Sequence, residues 1–168
     1  MSEVRRPERT GGPDRPIGDL HPDYPLPDVD HPVTRPFWDG CRERRLRVQR
    51  DRETGLFHWP PKPAWWKGGR LEWVDAKGTG AIYTWVLGRE PFLPAFRELL
   101  PLAMVVVELD EGPRLVGYMV GCTPDEVAVG RRVRVVFERV GIAGEADGDH
   151  WFHGEDPRSE MVWFNRAQ

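Results

Sequence analysis

Between Leu71 and Glu138 the apolar residues fall into five short runs: Leu71–Asp75, Gly80–Leu87, Leu102–Leu109, Arg114–Val120 and Arg132–Glu138. Each alternates with polar residues or is continuous, and each is bounded by Gly, Pro or Asp clusters, the pattern of strands with a buried face. Five strands in so short a stretch suit a small, partly open barrel. Asp110-Glu111-Gly112-Pro113 predicts a hairpin turn, and Thr123-Pro124-Asp125-Glu126 predicts a capped turn that carries the chain across the barrel. The apolar, aromatic segment Met161–Phe164 is expected to return as a closing strand.

Upstream the period changes. Phe37, Trp38, Cys41 and Arg45 recur at helical spacing, with Thr34 placed to cap and Pro36 suited to a first turn. The helix is expected to end near Arg44 or Arg45. Leu46–Gln49 then alternates as a short strand and Asp51–Gly55 is turn-like, so Arg50–Leu56 reads as a knuckle between two short strands. A Pro- and Trp-rich segment, Phe57–Lys67, follows.

The organisation is therefore a flexible arm over 1–31, a helix and knuckle over 32–70, and a barrel with a C-terminal extension over 71–168. The arm is dense in Pro, Gly and charge and buries too little to offset its ordering entropy. It reads either as a linker or as an arm that orders on a partner through Leu20, Tyr24 and Leu26.

With 168 residues, 39% of them hydrophobic, the chain has material for one core plus tails. A net charge of −3 and a pI near 6.0 give no global pull toward nucleic acid or anionic membrane. No stretch approaches the roughly 20 apolar residues of a membrane span, and the start, MSEVRRPERTGGPDRP, lacks a signal-peptide core. A cytoplasmic protein is the expectation. Cys41 and Cys122 have no CxxC partner and are expected as small buried side chains.

The sequence has no Walker loop, GxGxxG, GxSxG or HExxH, which argues against nucleotide hydrolysis, hydride transfer and serine hydrolysis. Asp149-His150-Trp151-Phe152-His153-Gly154-Glu155-Asp156 contains an HxxH with flanking carboxylates, in a Gly- and Asp-rich stretch that reads as polar surface. A stand-alone lyase or hydratase would have to use His150 and His153. Trp73, Tyr83 and Trp85 are the residues a single-strand nucleic-acid platform would use. They stand at alternating strand positions and read first as core or cross-strand pairs.

Five motifs occur in order: Pro36-Phe37-Trp38-Asp39-Gly40; Phe57-His58-Trp59-Pro60-Pro61-Lys62-Pro63; Leu71-Glu72-Trp73-Val74; Gly78-Thr79-Gly80-Ala81-Ile82-Tyr83-Thr84-Trp85; and Val107 to Leu115, VELDEGPRL. Together, over about residues 32–140, they resemble the zinc-ribbon/OB-fold family of acyl-CoA-associated proteins (domain of unknown function 35). The resemblance implies a mainly β fold: an N-terminal helix, a rubredoxin-like knuckle and a five-stranded OB barrel. It also implies a thiolase-like partner, an aldolase or acyltransferase, that holds the catalytic residues. The CoA thioester would be the substrate of the complex, with no cofactor bound by this chain. Retro-aldol cleavage of a steroid side chain is the reaction the resemblance favours, in a hetero-oligomer of two plus two.

The sequence departs from the family at the metal. Where the family carries two CxxC pairs, this chain has Asp51 and Thr54, then Trp65 and Gly68. One carboxylate, a hydroxyl and an indole do not make a tetrahedral zinc site, so no zinc is expected. The tryptophans of the knuckle are expected either to form a small core in place of the metal or to anchor a partner. No catalytic residue is assigned. The expected partner interface is Phe37, Trp38, His58, Trp59, Trp65 and Trp66. The expected acyl-CoA channel is the loop residues Arg89, Phe92, Phe96 and Arg97, the arginines for phosphate and the rings for the acyl chain.

Overall fold

The computed structural model describes residues 25, 27–139 and 160–166. Helix α1 (Arg35–Arg42) leads into β1 (Arg47–Asp51), β2 (Phe57–His58) and β3 (Leu71–Asp75), then β4 (Thr79–Gly88), β5 (Leu102–Leu109), β6 (Arg114–Tyr118), β7 (Arg132–Arg139) and β8 (Glu160–Arg166). The antiparallel strands form two sheets, a ribbon in the order β2-β1-β3 and a larger sheet in the order β6-β5-β4-β7-β8. The edge strands β6 and β8 approach each other without pairing, which curls the larger sheet into a partly open barrel. Helix, ribbon and OB barrel are the mainly β architecture the sequence predicts.

The strands differ from expectation in one assignment. Leu71–Asp75 pairs with β1, Val48 facing Val74 and Gln49 facing Trp73, and so belongs to the ribbon. The fifth barrel strand is instead β8, which pairs with β7 from Val133–Arg166 to Arg139–Glu160. An alternating pattern specifies that a strand has a buried face; it does not say which sheet supplies the neighbour.

The helix also ends earlier than its periodicity suggests. Arg44 takes a left-handed conformation, its N–H donates to Cys41 C=O at 2.9 Å and the Arg45 N–H to Gly40 C=O at 2.8 Å. That is a Schellman stop built on arginine rather than glycine. Thr34 does not cap with its side chain, because it lies in the helical region (φ −106°, ψ −13°) rather than the extended one that aims a hydroxyl at the first turn. The second expected cap is present: the Glu126 carboxylate accepts the Thr123 N–H at 2.7 Å and the Thr123 hydroxyl at 3.2 Å.

One core joins the parts. Phe37 and Cys41 of α1, Leu46, and Val48 of β1 pack with Ile82, Val105, Val107, Leu109, Leu115 and Val133 of the barrel, and Trp38, Trp59 and Trp73 lean on the same cluster. Burying each such aliphatic side chain stabilises the fold by about 1.5–3 kcal/mol. Gly80 is required where β4 crosses β5, since a Cβ there would lie 2.3 Å from the Glu108 carbonyl oxygen. Cys41 and Cys122 are buried, as expected.

Candidate functional site

In an antiparallel sheet, directly paired residues share a face, so the register defines the barrel's two surfaces. Ile82, Val107 and Leu115 form one row and are buried. The alternate rows face outward: Thr84–Val106–Val116, and beside it Val86–Met104–Tyr118. Val116 is 74% exposed and Val86 54%, with Met104, Val106 and Tyr118 half-buried. The outer face of β4–β5–β6 is thus apolar across three strands.

One border of this face is polar. The register slips between Ile82 and Thr84, which leaves Tyr83 unpaired and 50% exposed. The Arg114 guanidinium lies 3.4 Å from its ring centroid and donates to Glu108 at 2.8 Å. The Glu108 bond and the neighbouring Tyr83 hold the Arg114 pKa above its usual value against partial desolvation.

The opposite border is the loop between β4 and β5. Its short helix, Pro94–Leu99, is seated by Ala95 and Phe96, which pack with Leu102 and against Tyr118. Tyr118 is the residue that ends the second apolar row, so loop and sheet face are continuous. Burial pushes its phenol pKa up. Phe96 is buried and stacks on Phe92 at 4.4 Å, while Phe92 itself is 67% exposed and Leu93 lies beside it in the open. Arg89 and Arg97 are exposed and carry no ion pair among the described residues.

Of the channel residues expected from sequence, Arg89, Phe92 and Arg97 therefore stand at the surface, whereas Phe96 is the anchor that holds the loop down. The expected partner interface is altered more. Phe37 is buried, 4.8 Å from the Trp38 ring and 4.9 Å from the Trp59 ring, and all three serve the common core. His58 is half-buried in the ribbon, and its Nε2 has no hydrogen-bond partner among the described residues. Trp66 is half-buried under Lys62, whose Nζ lies 5.6 Å from the ring centroid. Trp65 alone of the six projects freely, 75% exposed. The tryptophans thus form no miniature core in the knuckle. Trp73 belongs to the ribbon, and Trp85 pairs with Val105 in the barrel with its side chain 37% exposed. His150, His153, Leu20, Tyr24 and Leu26 lie outside the described residues.

The apolar outer face was readable in one signal. Leu102–Leu109, LAMVVVEL, is apolar almost throughout, and a strand that does not alternate has apolar residues on both faces.

The described residues thus form a small ribbon-like sheet that shares its core with a partly open OB barrel, whose outer face is apolar. Family comparison places the chain: residues 38–64 match the ChsH2 rubredoxin-like zinc ribbon domain and residues 73–138 the ChsH2 C-terminal OB-fold domain, and the chain belongs to this ChsH2/DUF35 family. It is similar to the 3-oxo-4,17-pregnadiene-20-carboxyl-CoA hydratase alpha subunit of Mycobacterium tuberculosis, 34% identical over 129 residues, covering 76% of this chain and 40% of the relative. A probable enoyl-CoA hydratase alpha subunit of Thermomonospora curvata is 37% identical over 100 residues, covering 58% of this chain and 31% of the relative. The chain therefore spans less than half the length of these two relatives. Among solved structures it resembles the Ltp2-ChsH2(DUF35) aldolase, with a TM-score of 0.63 and 28% identity, covering 83% of this chain and 98% of that one. The chain is thus homologous to subunits of CoA hydratase and aldolase complexes.

The family implies zinc, and the residues present do not fit it. At the four ligand positions, Asp51 is engaged by Arg70, the Thr54 hydroxyl accepts the Leu56 N–H at 3.4 Å, Trp65 projects outward and Gly68 has no side chain. No group of three or more metal-binding side chains occurs among the described residues.

Proposed function

We propose that this chain is an accessory subunit of a thiolase-like acyl-CoA enzyme. It docks the partner through the outer face of β4–β6 and through the loop 89–101. The observation that carries this reading is the continuity of two apolar rows, ending in Val86, Val116 and Tyr118, with the exposed Phe92 and Leu93. Contiguous exposed apolar surface of this kind marks a protein interface. The similar solved structure, an aldolase named for both Ltp2 and ChsH2(DUF35), supports a thiolase-like partner.

The pregnadiene carboxyl-CoA acted on by one relative supports a steroid side-chain CoA thioester as substrate, and the similarity to an aldolase supports retro-aldol C–C cleavage on the partner. This subunit preorganises the channel. Arg89 and Arg97 are free to meet the CoA phosphates, and Phe92 the acyl chain. Two copies of each subunit make up the assembly. A nucleic-acid role is disfavoured by the outer face itself, whose rows carry Val and Met where a single strand needs cations.

The test is co-expression with a thiolase-like aldolase, followed by gel filtration and turnover of a steroid side-chain CoA thioester. A stable complex that cleaves the thioester, with neither subunit active alone, is the expected result. Hydration by the isolated chain, abolished by His150→Ala or His153→Ala, would instead make it an enzyme in its own right.

A further inference from the structure

The ribbon keeps the two turns of a metal knuckle while its ligand positions cannot hold the metal. In the first turn Asp51 is fully buried, and its Oδ1 accepts the N–H groups of Glu53 at 2.9 Å and Thr54 at 3.2 Å. Its own C=O accepts the Gly55 N–H at 2.8 Å, and Gly55 sits at φ +72°, where glycine is favoured. A carboxylate thus occupies the position of the first thiolate and takes two of the backbone donors that converge on it. Its second oxygen is left to face the other turn.

That second turn supplies cations. Trp65 C=O accepts the Gly68 N–H at 3.1 Å, and Lys67 and Gly68 both adopt left-handed conformations. Just past it, Arg70 Nη2 donates to Asp51 Oδ2 at 2.9 Å, and Lys67 Nζ lies 3.9 Å from the same oxygen. The other Arg70 nitrogen, Nη1, pairs with Glu53, and the Arg70 carbonyl accepts the Arg52 N–H at 3.1 Å. Arg70 thus makes three of these contacts between the turns, and Lys67 makes the fourth.

We propose that the ion pair between the buried Asp51 and the half-exposed Arg70, flanked by Lys67 and Glu53, is the cross-link that holds the two knuckles of this ribbon in place of a metal ion. A zinc ribbon sets one divalent cation against thiolates; here the guanidinium and ammonium occupy the cationic role and the carboxylate the anionic one. A metal ion introduced at Asp51 would have to displace both cations, and no group of three or more metal-binding side chains stands among the described residues to hold it. A fully buried carboxylate left unpaired is strongly destabilising, so the pair is a structural requirement once the carboxylate is there. Burial raises the Asp51 pKa, but the Glu53 and Thr54 N–H groups and Arg70 together outweigh it and hold the group ionised.

The experiment combines metal analysis of the purified full chain with thermal melts of the chain alone, with EDTA and with added zinc. The same melts are run on Asp51→Asn, Arg70→Gln and the double variant. The wild-type chain is expected to hold far less than one zinc and to melt identically in all three conditions. Each single variant is expected to lose about 10 °C in Tm, and the double variant no more than the worse single, because both remove one interaction. Arg70→Lys, which keeps a cation on the carboxylate, is expected to recover part of the loss. Stoichiometric zinc whose removal lowers Tm overturns the proposal, as do losses that simply add or single variants that melt like wild type. The chelation arm uses the wild-type chain and decides even where a variant fails to fold.

Discussion

The ribbon and the barrel share one core but are held by different forces. The ribbon contributes few fully buried aliphatic side chains, Leu46 and Val48 among them, and surrounds them with ions: Arg50 and Arg52 on Glu72, Arg45 and Arg47 on Asp75, Arg70 on Asp51. The barrel is apolar inside, with Ile82, Val105, Val107, Leu109 and Val133 buried, and apolar again on the outer face of β4–β6. A sheet that spends charge on its own cohesion has little free surface to offer. The barrel gets its stability from its interior, so its outer face is available for another protein.

This contrast is tested first in the shared core. Ile82→Ala removes a side chain buried at the centre of the barrel and is expected to cost about 2–4 kcal/mol, measured by urea unfolding followed in parallel by circular dichroism and tryptophan fluorescence. Ribbon and barrel should unfold together in that variant, because Phe37, Cys41 and Val48 pack on the same cluster. Separate transitions would show that the ribbon has a core of its own.

Acid should test the same coupling. Glu72 is held below its usual value first by the Arg50 hydrogen bond, Asp51 is held down by backbone N–H groups and Arg70 against the opposing effect of burial, and Asp110 is held down by Arg132 and the Thr79 hydroxyl. Each carboxyl has a folded pKa below its unfolded one, so the stability it contributes is complete above about pH 4.5 and is lost as pH falls through the folded value. Two of these carboxyls lie in the ribbon. Because both parts pack on one core, tryptophan fluorescence and circular dichroism are expected to report one coincident acid transition. Separate acid transitions would show that the ribbon's ion pairs hold it independently of the barrel.

The smallest expected effect is at Trp65. Its ring is exposed, so Trp65→Ala should shift stability by less than about 0.5 kcal/mol in the isolated chain. A loss of several times that would mean the tryptophans do replace the metal.

Much of the barrel was legible because strand periodicity and turn residues are local signals. β4 to β7 follow the apolar runs, and the Thr123–Glu126 cap follows from its spacing. What sequence could not show depends on contacts distant along the chain. Arg44 ends α1 in a conformation that no arginine advertises, and β3 alternates identically whichever sheet receives it. Asp51 and Arg70 are 19 residues apart, and nothing in either neighbourhood identifies the other as its partner. Trp and Phe serve both cores and interfaces, so sequence could not show that Phe37 is buried while Trp38 and Trp59 are half-buried against the same cluster.

The central claim is that the outer face of β4–β6 and the Phe92 loop dock a thiolase-like enzyme. Its most direct test is the affinity of that enzyme for wild-type chain, Val116→Asp and Phe92→Asp, measured by calorimetry alongside the Tm of each variant. Both side chains are exposed, so Tm should hold, while each buried, unpaired carboxylate at the interface should weaken Kd by about 30-fold or more. Unchanged affinity in both variants, with the complex intact, would contradict the account and place the interface elsewhere.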